Sequence, residues 1–381
     1  MKQIVFFTGT DDLYGANRIL INSMSLFSGY ERVLCMPKKG PLSEMVEYKL
    51  PDVKIVEMPE LPVIAKMYLN PKGLLKFSSN LVKSSRRLKR MVSDDAIIYL
   101  NTLAVLPIAF LLKNKKYLHV HEILDNRSLI DKTLNRLSLN KSDKVICVSD
   151  AVADNLREVA NPQDKEKIVK VHNGILPVAE SPKDLRDDND EKLKILLIGR
   201  IRPQIKGQGY VLDALGHLPS EVRNKLQVIF VGSPVPSMES DLTQLQERIK
   251  SEGLENVVAI HGFTTDIASY YVDADICLVP SVRADPFPTT VLEGMSAGLP
   301  VIGTDIGGIP EMIEDGETGF TVPADRPDVF ADRLERLISD EALRKKMGKK
   351  GLERFNQEFS LYSFEGRFRE SLPELFEDKM Q

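Results

Sequence analysis

Ten short apolar runs, five in each half of the chain, set the tightest limit on its fold. The first half holds QIVFFT (3–8), RVLCM (32–36), AIIYL (96–100), KYLHVH (116–121) and KVICVS (144–149). The second half holds KILLIG (194–199), QVIFVG (227–232), VVAIHG (257–262), ICLVPS (276–281) and PVIGT (300–304). The runs are apolar almost throughout, and helical patterns separate them. That combination predicts parallel strands covered by helices on both faces. Between the two series lies LPVAESPKDLRDDNDEK (176–192), acidic and proline-bearing, which has the composition of a linker. The expectation is an α/β chain of two doubly wound domains facing a cleft, over 1–178 and 193–358, joined by a linker at 179–192. With 381 residues, each half is long enough to bury its own core. In such sheets ligands bind beyond the carboxyl ends of the strands.

Composition narrows the class. The opening MKQIVFFTGTDD has one lysine and a short apolar run, and reads as a buried first strand, not a signal peptide. The longest apolar stretch, LAVLPIAFLL (103–112), contains Pro107 and falls short of the roughly 20 residues a membrane helix needs. Cys35, Cys147 and Cys277 each sit inside a strand-like run, as small core residues of a protein in a reducing compartment. The net charge of −4 conceals an asymmetry. Residues 1–180 hold 27 Lys+Arg against 20 Asp+Glu, and the remainder 24 against 35. Residues 61–93 carry eight cations and no acid, with Leu74, Phe77, Leu81, Leu88 and Met91 at near-helical spacing. Such a segment is either a solvated helix face or a surface docking on anionic lipid. Sparse aromatic interleaving and the net acidity argue against nucleic acid.

The most informative stretch is DPFPTTVLEGMSAGLPVIGTDIGGIPEMI (285–313). It sets Asp285 and Glu293 on either side of a proline-rich helix start, with Thr290 and Glu293 spaced as a capping box and Pro288 suited to a first turn. A helix start presents free amides and partial positive charge, which suit phosphate. A second such feature opens the same half: in IGRIRPQIKGQG (198–209) a strand ends in Gly199 and Arg200, and Lys206 follows in a loop. Two fixed cations, one a planar fork, together with a helix start favour a nucleoside diphosphate.

On these residues the chain resembles the retaining glycosyltransferases of family 4, which have the GT-B fold of two Rossmann-like domains. The family's Glu-x7-Glu motif is matched by Asp285…Glu293. The resemblance implies that Glu293 binds the donor ribose and Asp285 lies near the donor sugar. It implies that the turn at Pro288, Thr289 and Thr290 faces the diphosphate, and that Arg200 and Lys206, after Gly199, stabilise its departure. DDLYGANRILINS (11–23) is similar to the glycine loop that brings Gly15 to the donor phosphates. HVHE (119–122) resembles the strand end whose His121 touches the donor sugar, with Glu122 beside it. VICVSDAV and VHNGI are similar to segments that place Ser149 and Asn173 along the cleft. The segment 359–376 is expected to be a helix returning to the first domain. Three departures stand out: Asp285 replaces a glutamate, Pro288 replaces a glycine and supplies no N–H, and no acid follows Asn173-Gly174.

Two other patterns invite misreading. Asp273-Ala-Asp275 imitates a metal-binding Asp-X-Asp, but falls where a helix gives way to a strand. His119 and His121 alternate on one strand face without a third ligand at usable spacing. The loop after the first strand lacks the G-x-G-x-x-G of dinucleotide dehydrogenases. The resulting expectation is a cytoplasmic, nucleotide-sugar-dependent hexosyltransferase with no metal or other cofactor. Its donor is a UDP- or GDP-sugar bound by the second domain, and its acceptor a glycan or lipid-linked saccharide bound mainly by the first. The setting is bacterial surface polysaccharide, lipopolysaccharide or glycolipid assembly, with 61–93 as a peripheral contact to the cytoplasmic face of an anionic membrane. The rivals are a nucleotide-sugar epimerase of similar fold and a non-catalytic nucleotide-sugar-binding protein.

Overall fold

The computed structural model describes residues 1–65, 70–179, 192–235 and 237–376. Most of the expected linker, and Lys66 of the basic segment, lie outside the described residues. The chain forms two compact units, Met1–Asn173 with the segment from Glu365 onward, and Gly174–Phe364.

The first unit is built on seven parallel strands: β1 (Gln3–Phe7), β2 (Glu31–Met36), β3 (Lys54–Glu57), β4 (Ile97–Asn101), β5 (Lys116–Val120), β6 (Lys144–Cys147) and β7 (Ile168–Lys170). Their spatial order is β3-β2-β1-β4-β5-β6-β7. Every residue of β1, β4 and β5 is buried, because helices cover both faces of the sheet. The aromatic core gathers Phe6 and Tyr99, with ring centroids 5.1 Å apart, and Phe27 stacked on Phe376 at 5.3 Å. Tyr30 donates its hydroxyl to the Leu375 carbonyl at 2.6 Å, and Tyr117 to Glu374 at 3.1 Å. The carboxyl-terminal segment is thereby part of this unit's core. It is not one helix over 359–376: a π-turn (Phe355–Phe359) precedes the helix Leu361–Ser371, and a short 3-10 turn (Pro373–Leu375) follows it. Pro373 lacks the N–H needed to continue the helical ladder.

The second unit repeats the plan with β8 (Leu193–Ile198), β9 (Leu226–Val231), β10 (Val258–His261), β11 (Ile276–Val279), β12 (Val301–Thr304) and β13 (Gly319–Val322), in the order β10-β9-β8-β11-β12-β13. Its core joins strand residues such as Val228 and Phe230 to Leu212, Leu215, Phe330 and Leu334 from the covering helices. In each sheet the order reverses beside the first strand of the unit, which marks the switch point where ligands of such sheets sit. All strands are parallel, so each sheet presents its carboxyl ends on one side.

Three strands lie outside the ten apolar runs: β3, β7 and β13, each at or next to a sheet margin. The stretch 103–112 is mostly a 3-10 helix (Leu103–Phe110) containing Pro107. Among the described residues no helix is long and apolar enough to cross a membrane. The three cysteines are buried and unpaired, and burial pushes the Cys35 thiol up to about 12.

Candidate active site

In the second unit, Gly199 and Arg200 extend directly from the carboxyl end of β8, and the Gly199 amide bonds to the Val231 carbonyl at 3.0 Å. Gln208 then holds the Arg200 carbonyl at 3.0 Å from a fully buried position. A one-turn helix, Pro203–Lys206, follows. It is ended by Gly207 at φ 81, the left-handed region where a side chain is strained. A Cβ there would also strike the Pro280 carbonyl, so only glycine allows this loop to lie against the end of β11. The contact is closed by the Val282 amide bonding to Ile205 at 2.9 Å.

This packing delivers Lys206 to Asp285: the ammonium donates to the Asp285 carboxylate at 2.6 Å. The Asp285 backbone is held from the other side by the Gly-Gly turn after β12. The Gly308 amide donates to the Asp285 carbonyl at 2.9 Å, and Gly307 at φ 62 passes so close to Asp285 that a Cβ would collide with it. The two glycine-bearing loops thus fix one ion pair from opposite sides.

The helix Thr289–Ser296 begins just beyond Phe287, a buried ring whose centroid lies 5.9 Å from that of Phe359. The expected capping box is not formed. Pro288 is the cap residue and not part of the first turn, Thr290 lies inside the helix, and no side chain caps the end. A proline cap has no side-chain acceptor, so the first helical amides keep their capacity for an external anion. Glu293 is 2% exposed, and the Tyr271 hydroxyl donates to its carboxylate at 2.8 Å. Its position comes from Gly294, which lets the helix close onto Cys277 of β11. Asp273 and Asp275, the apparent metal motif, are both engaged with Lys194: Asp273 with its ammonium and Asp275 with its amide, each at 2.8 Å.

The remaining expected residues lie in the first unit. Gly15 opens the helix Gly15–Ser25. The loop before it is tied by Asn17, whose side-chain amide donates to the Asp12 carbonyl at 2.9 Å and to Thr10 at 3.0 Å. Thr8 donates to the Asn17 oxygen at 2.7 Å. His121 and Glu122 follow the carboxyl end of β5. The His119 and His121 rings are 4.2 Å apart, and Tyr99 bonds the His119 Nδ1 at 2.7 Å. Burial holds both imidazoles below their ordinary range, His121 to about 3, so both are neutral at pH 7. The Nε2 atoms of both rings are sealed from solvent and have no hydrogen-bond partner among the described residues. Burial pushes Glu122 up to about 7, against hydrogen bonds from the amides of His121 (3.0 Å) and Leu103 (3.2 Å). Ser149 is buried as the cap of the helix Asp150–Arg157, accepting from the Val152 amide at 3.2 Å. Asn173 is buried at the last position of the first stretch of this unit.

The structure therefore brings Arg200, Lys206, Asp285, the Thr289–Thr290 turn and Glu293 onto the carboxyl-end loops of one sheet. Gly15, His121 and Glu122 occupy the same end of the other. Sequence reasoning missed Tyr271, Asn17 and Gly307. Gly307 is signalled by its Gly-Gly pair; Tyr271 has no local signal, since its partner is 22 positions away.

Residues 180–354 match the family described as Glycosyl transferases group 1. The chain is 29% identical over 219 residues to D-inositol 3-phosphate glycosyltransferase of Streptomyces bingchenggensis, covering 54% of this chain and 48% of that protein. It is 28% identical over 238 residues to N-acetyl-alpha-D-glucosaminyl L-malate synthase of Bacillus anthracis, covering 60% of each. The matches thus span about half to three-fifths of these curated relatives. A crystal structure of Anabaena Alr3699/HepE in complex with UDP and glucose superposes with a TM-score of 0.81 over 98% of this chain and 100% of that one, at 21% identity, which shows the fold. The similarity to the group 1 glycosyl transferases thus lies in residues 180–354, most of the second unit, within a chain whose two Rossmann-like halves have the GT-B fold.

Proposed function

We propose that the chain transfers a hexosyl group from a nucleoside diphosphate-sugar to an acceptor with retention of anomeric configuration, as in family 4. The observation that carries this reading is the Lys206–Asp285 pair placed by two glycine loops beside an uncapped helix start, with buried Glu293 further along the same helix. Complexes of Anabaena HepE with UDP and with UDP-glucose support a UDP-sugar as donor. The chemistry centres on the bond between the sugar C1 and the diphosphate oxygen. As it breaks, the diphosphate leaves with the electron pair, and Arg200, Lys206 and the amides of Thr289 and Thr290 stabilise its charge. This reading calls for no metal ion. The acceptor hydroxyl forms its bond to C1 on the face the diphosphate leaves, and its proton passes to the departing phosphate oxygen. Glu293 holds the ribose, and Gly15 lets the first loop approach the phosphates. Neutral His121 is assigned to the sugar by the family mapping, with Glu122, Ser149 and Asn173 as further polar residues of the first unit.

The acceptor class that fits is a glycan or lipid-linked saccharide of bacterial surface polysaccharide, lipopolysaccharide or glycolipid assembly, used on the cytoplasmic side of the membrane. The helix Pro71–Met91 favours a peripheral contact there: Leu74, Leu75 and Val82 are exposed between its cations. The test is turnover of UDP-, GDP- and ADP-sugars against a panel of saccharide and lipid-linked acceptors. One donor should release its nucleoside diphosphate only when acceptor is present, and the product should keep the donor's anomeric configuration. Conversion of donor to an epimer without acceptor, or nucleotide binding with no turnover on any pair, contradicts it.

A further inference from the structure

The first unit carries a second concentration of charge, away from the strand ends that hold Gly15 and His121. A cavity of ≈ 630 Å³ lies between β3 and the helix Pro71–Met91, lined by Lys54, Lys83, Arg86, Arg87 and Arg90, with Val56 and Met91 as its apolar part. No carboxylate lines it. Positions 83, 86, 87 and 90 are spaced i, i+3, i+4, i+7, so the helix sets four cations in one stripe. The buried stripe of the same helix is Asn80, Ser84 and Leu88. The edge strand β3 supplies the fifth cation at its first residue.

Like charges gathered this closely repel one another, and several other cations of this unit are matched by acids. Lys38 pairs with Asp11, Lys39 with Glu47, Arg32 with Asp52 and Lys170 with Asp150. In the cavity, Arg87 meets Glu60 at 3.1 Å, but Lys54, Lys83, Arg86 and Arg90 make no ion pair among the described residues. Complementing the helix dipole accounts for only part of this, since just Lys89 and Arg90 fall in the last turn. The cavity runs along the outer edge of the sheet, beside the margin strand β3. Lys54 begins β3, and the last turns of the helix lead back towards the start of β4.

We propose that this cavity is a second binding site, taking a phosphate dianion either as the free ion or as the phosphomonoester headgroup of a lipid. Three guanidinium forks match phosphate oxygens in pairs, and two ammonium groups add point charge. Exposed Leu75 and Val82 on the same helix give a lipid source an adjoining apolar surface. The proposal is independent of the transferase reading, and either can fail while the other holds.

The test compares the full-length wild type with two triple variants. Lys83→Gln/Arg86→Gln/Arg90→Gln removes three cavity charges, and Lys72→Gln/Lys76→Gln/Lys89→Gln removes three charges from the same helix outside the cavity. All six side chains are exposed, so both variants keep the fold. One measurement is the rise in Tm when inorganic phosphate replaces chloride at constant ionic strength. The other is co-sedimentation with phosphatidylcholine vesicles with and without phosphatidate. Phosphate binding at the donor residues is common to all three proteins and cancels. Wild type and the outer variant are expected to respond alike to at least one probe, while the cavity variant binds that probe at least tenfold more weakly. A response to phosphate identifies the free ion as the source, and a response to phosphatidate alone identifies the lipid. A wild type indifferent to both probes overturns the proposal, as does an outer variant that loses as much as the cavity variant.

Discussion

Replacing Lys206 with alanine is expected to lower kcat by on the order of 10²-fold or more, the scale seen when a group aimed at developing charge is removed. The ammonium lies 2.6 Å from Asp285, so its position is defined before any donor arrives. On our reading the arriving diphosphate takes over that ammonium, and the charge developing on it during bond breaking strengthens the contact. The variant has a second consequence, because Asp285 is left without its counter-ion on a side chain only 15% exposed. Arg200→Ala is expected to act on the same scale through the other half of the clamp. Arg200 sits at the strand end with its backbone held by Gln208. Steady-state rates with the best donor–acceptor pair check both variants, and circular dichroism confirms that they fold. Turnover within a few-fold of wild type in both variants would remove the diphosphate clamp from the account.

The second large effect separates the two acids. Glu293→Gln is expected to weaken binding of the bare nucleoside diphosphate by roughly 1–3 kcal/mol, the range for a lost hydrogen bond to a charged group. Glu293 is not a capping residue in this fold. Its carboxylate is buried and oriented by the Tyr271 hydroxyl at 2.8 Å, and on our reading it accepts from a ribose hydroxyl. Asp285→Ala should instead lower turnover while nucleotide affinity barely changes, since Asp285 is assigned to the sugar. Calorimetry with free nucleotide, set beside initial rates with full donor, distinguishes the two. The assignment fails if Asp285→Ala abolishes nucleotide binding, or if Glu293→Gln loses stability but keeps its nucleotide affinity.

The fold was legible wherever burial on both faces writes an unbroken apolar run. All five runs of each half are strands, from QIVFFT at β1 to PVIGT at β12. The strands that escaped are those where one margin of the sheet relaxes that demand. β3 is KIVE with exposed ends, β7 has three residues, and β13 begins with glycine. In the site, the loops at Arg200–Lys206 and Asp285–Glu293 were legible because each carries proline, glycine and charge in a short space. The Lys206–Asp285 ion pair was not, because it joins positions 79 apart and depends on how Gly207 and Gly307 let two loops meet. The capping box was misread for a local reason: the helix starts two residues earlier than the Thr290–Glu293 spacing implies, so Pro288 takes the cap and Thr290 moves inside. The His119–His121 pair shares one strand face, but only the structure shows both Nε2 atoms sealed and without a partner among the described residues.

The central claim is that the ion pair and the uncapped helix start form a diphosphate site. Soaking crystals of the full chain with the tightest-binding nucleoside diphosphate tests this directly through difference electron density. The account predicts diphosphate density against the amides of Thr289 and Thr290, the Lys206 ammonium drawn from Asp285 to a phosphate oxygen, and the ribose on Glu293. Diphosphate density away from this turn, or a nucleotide bound while Lys206 remains paired with Asp285, contradicts it.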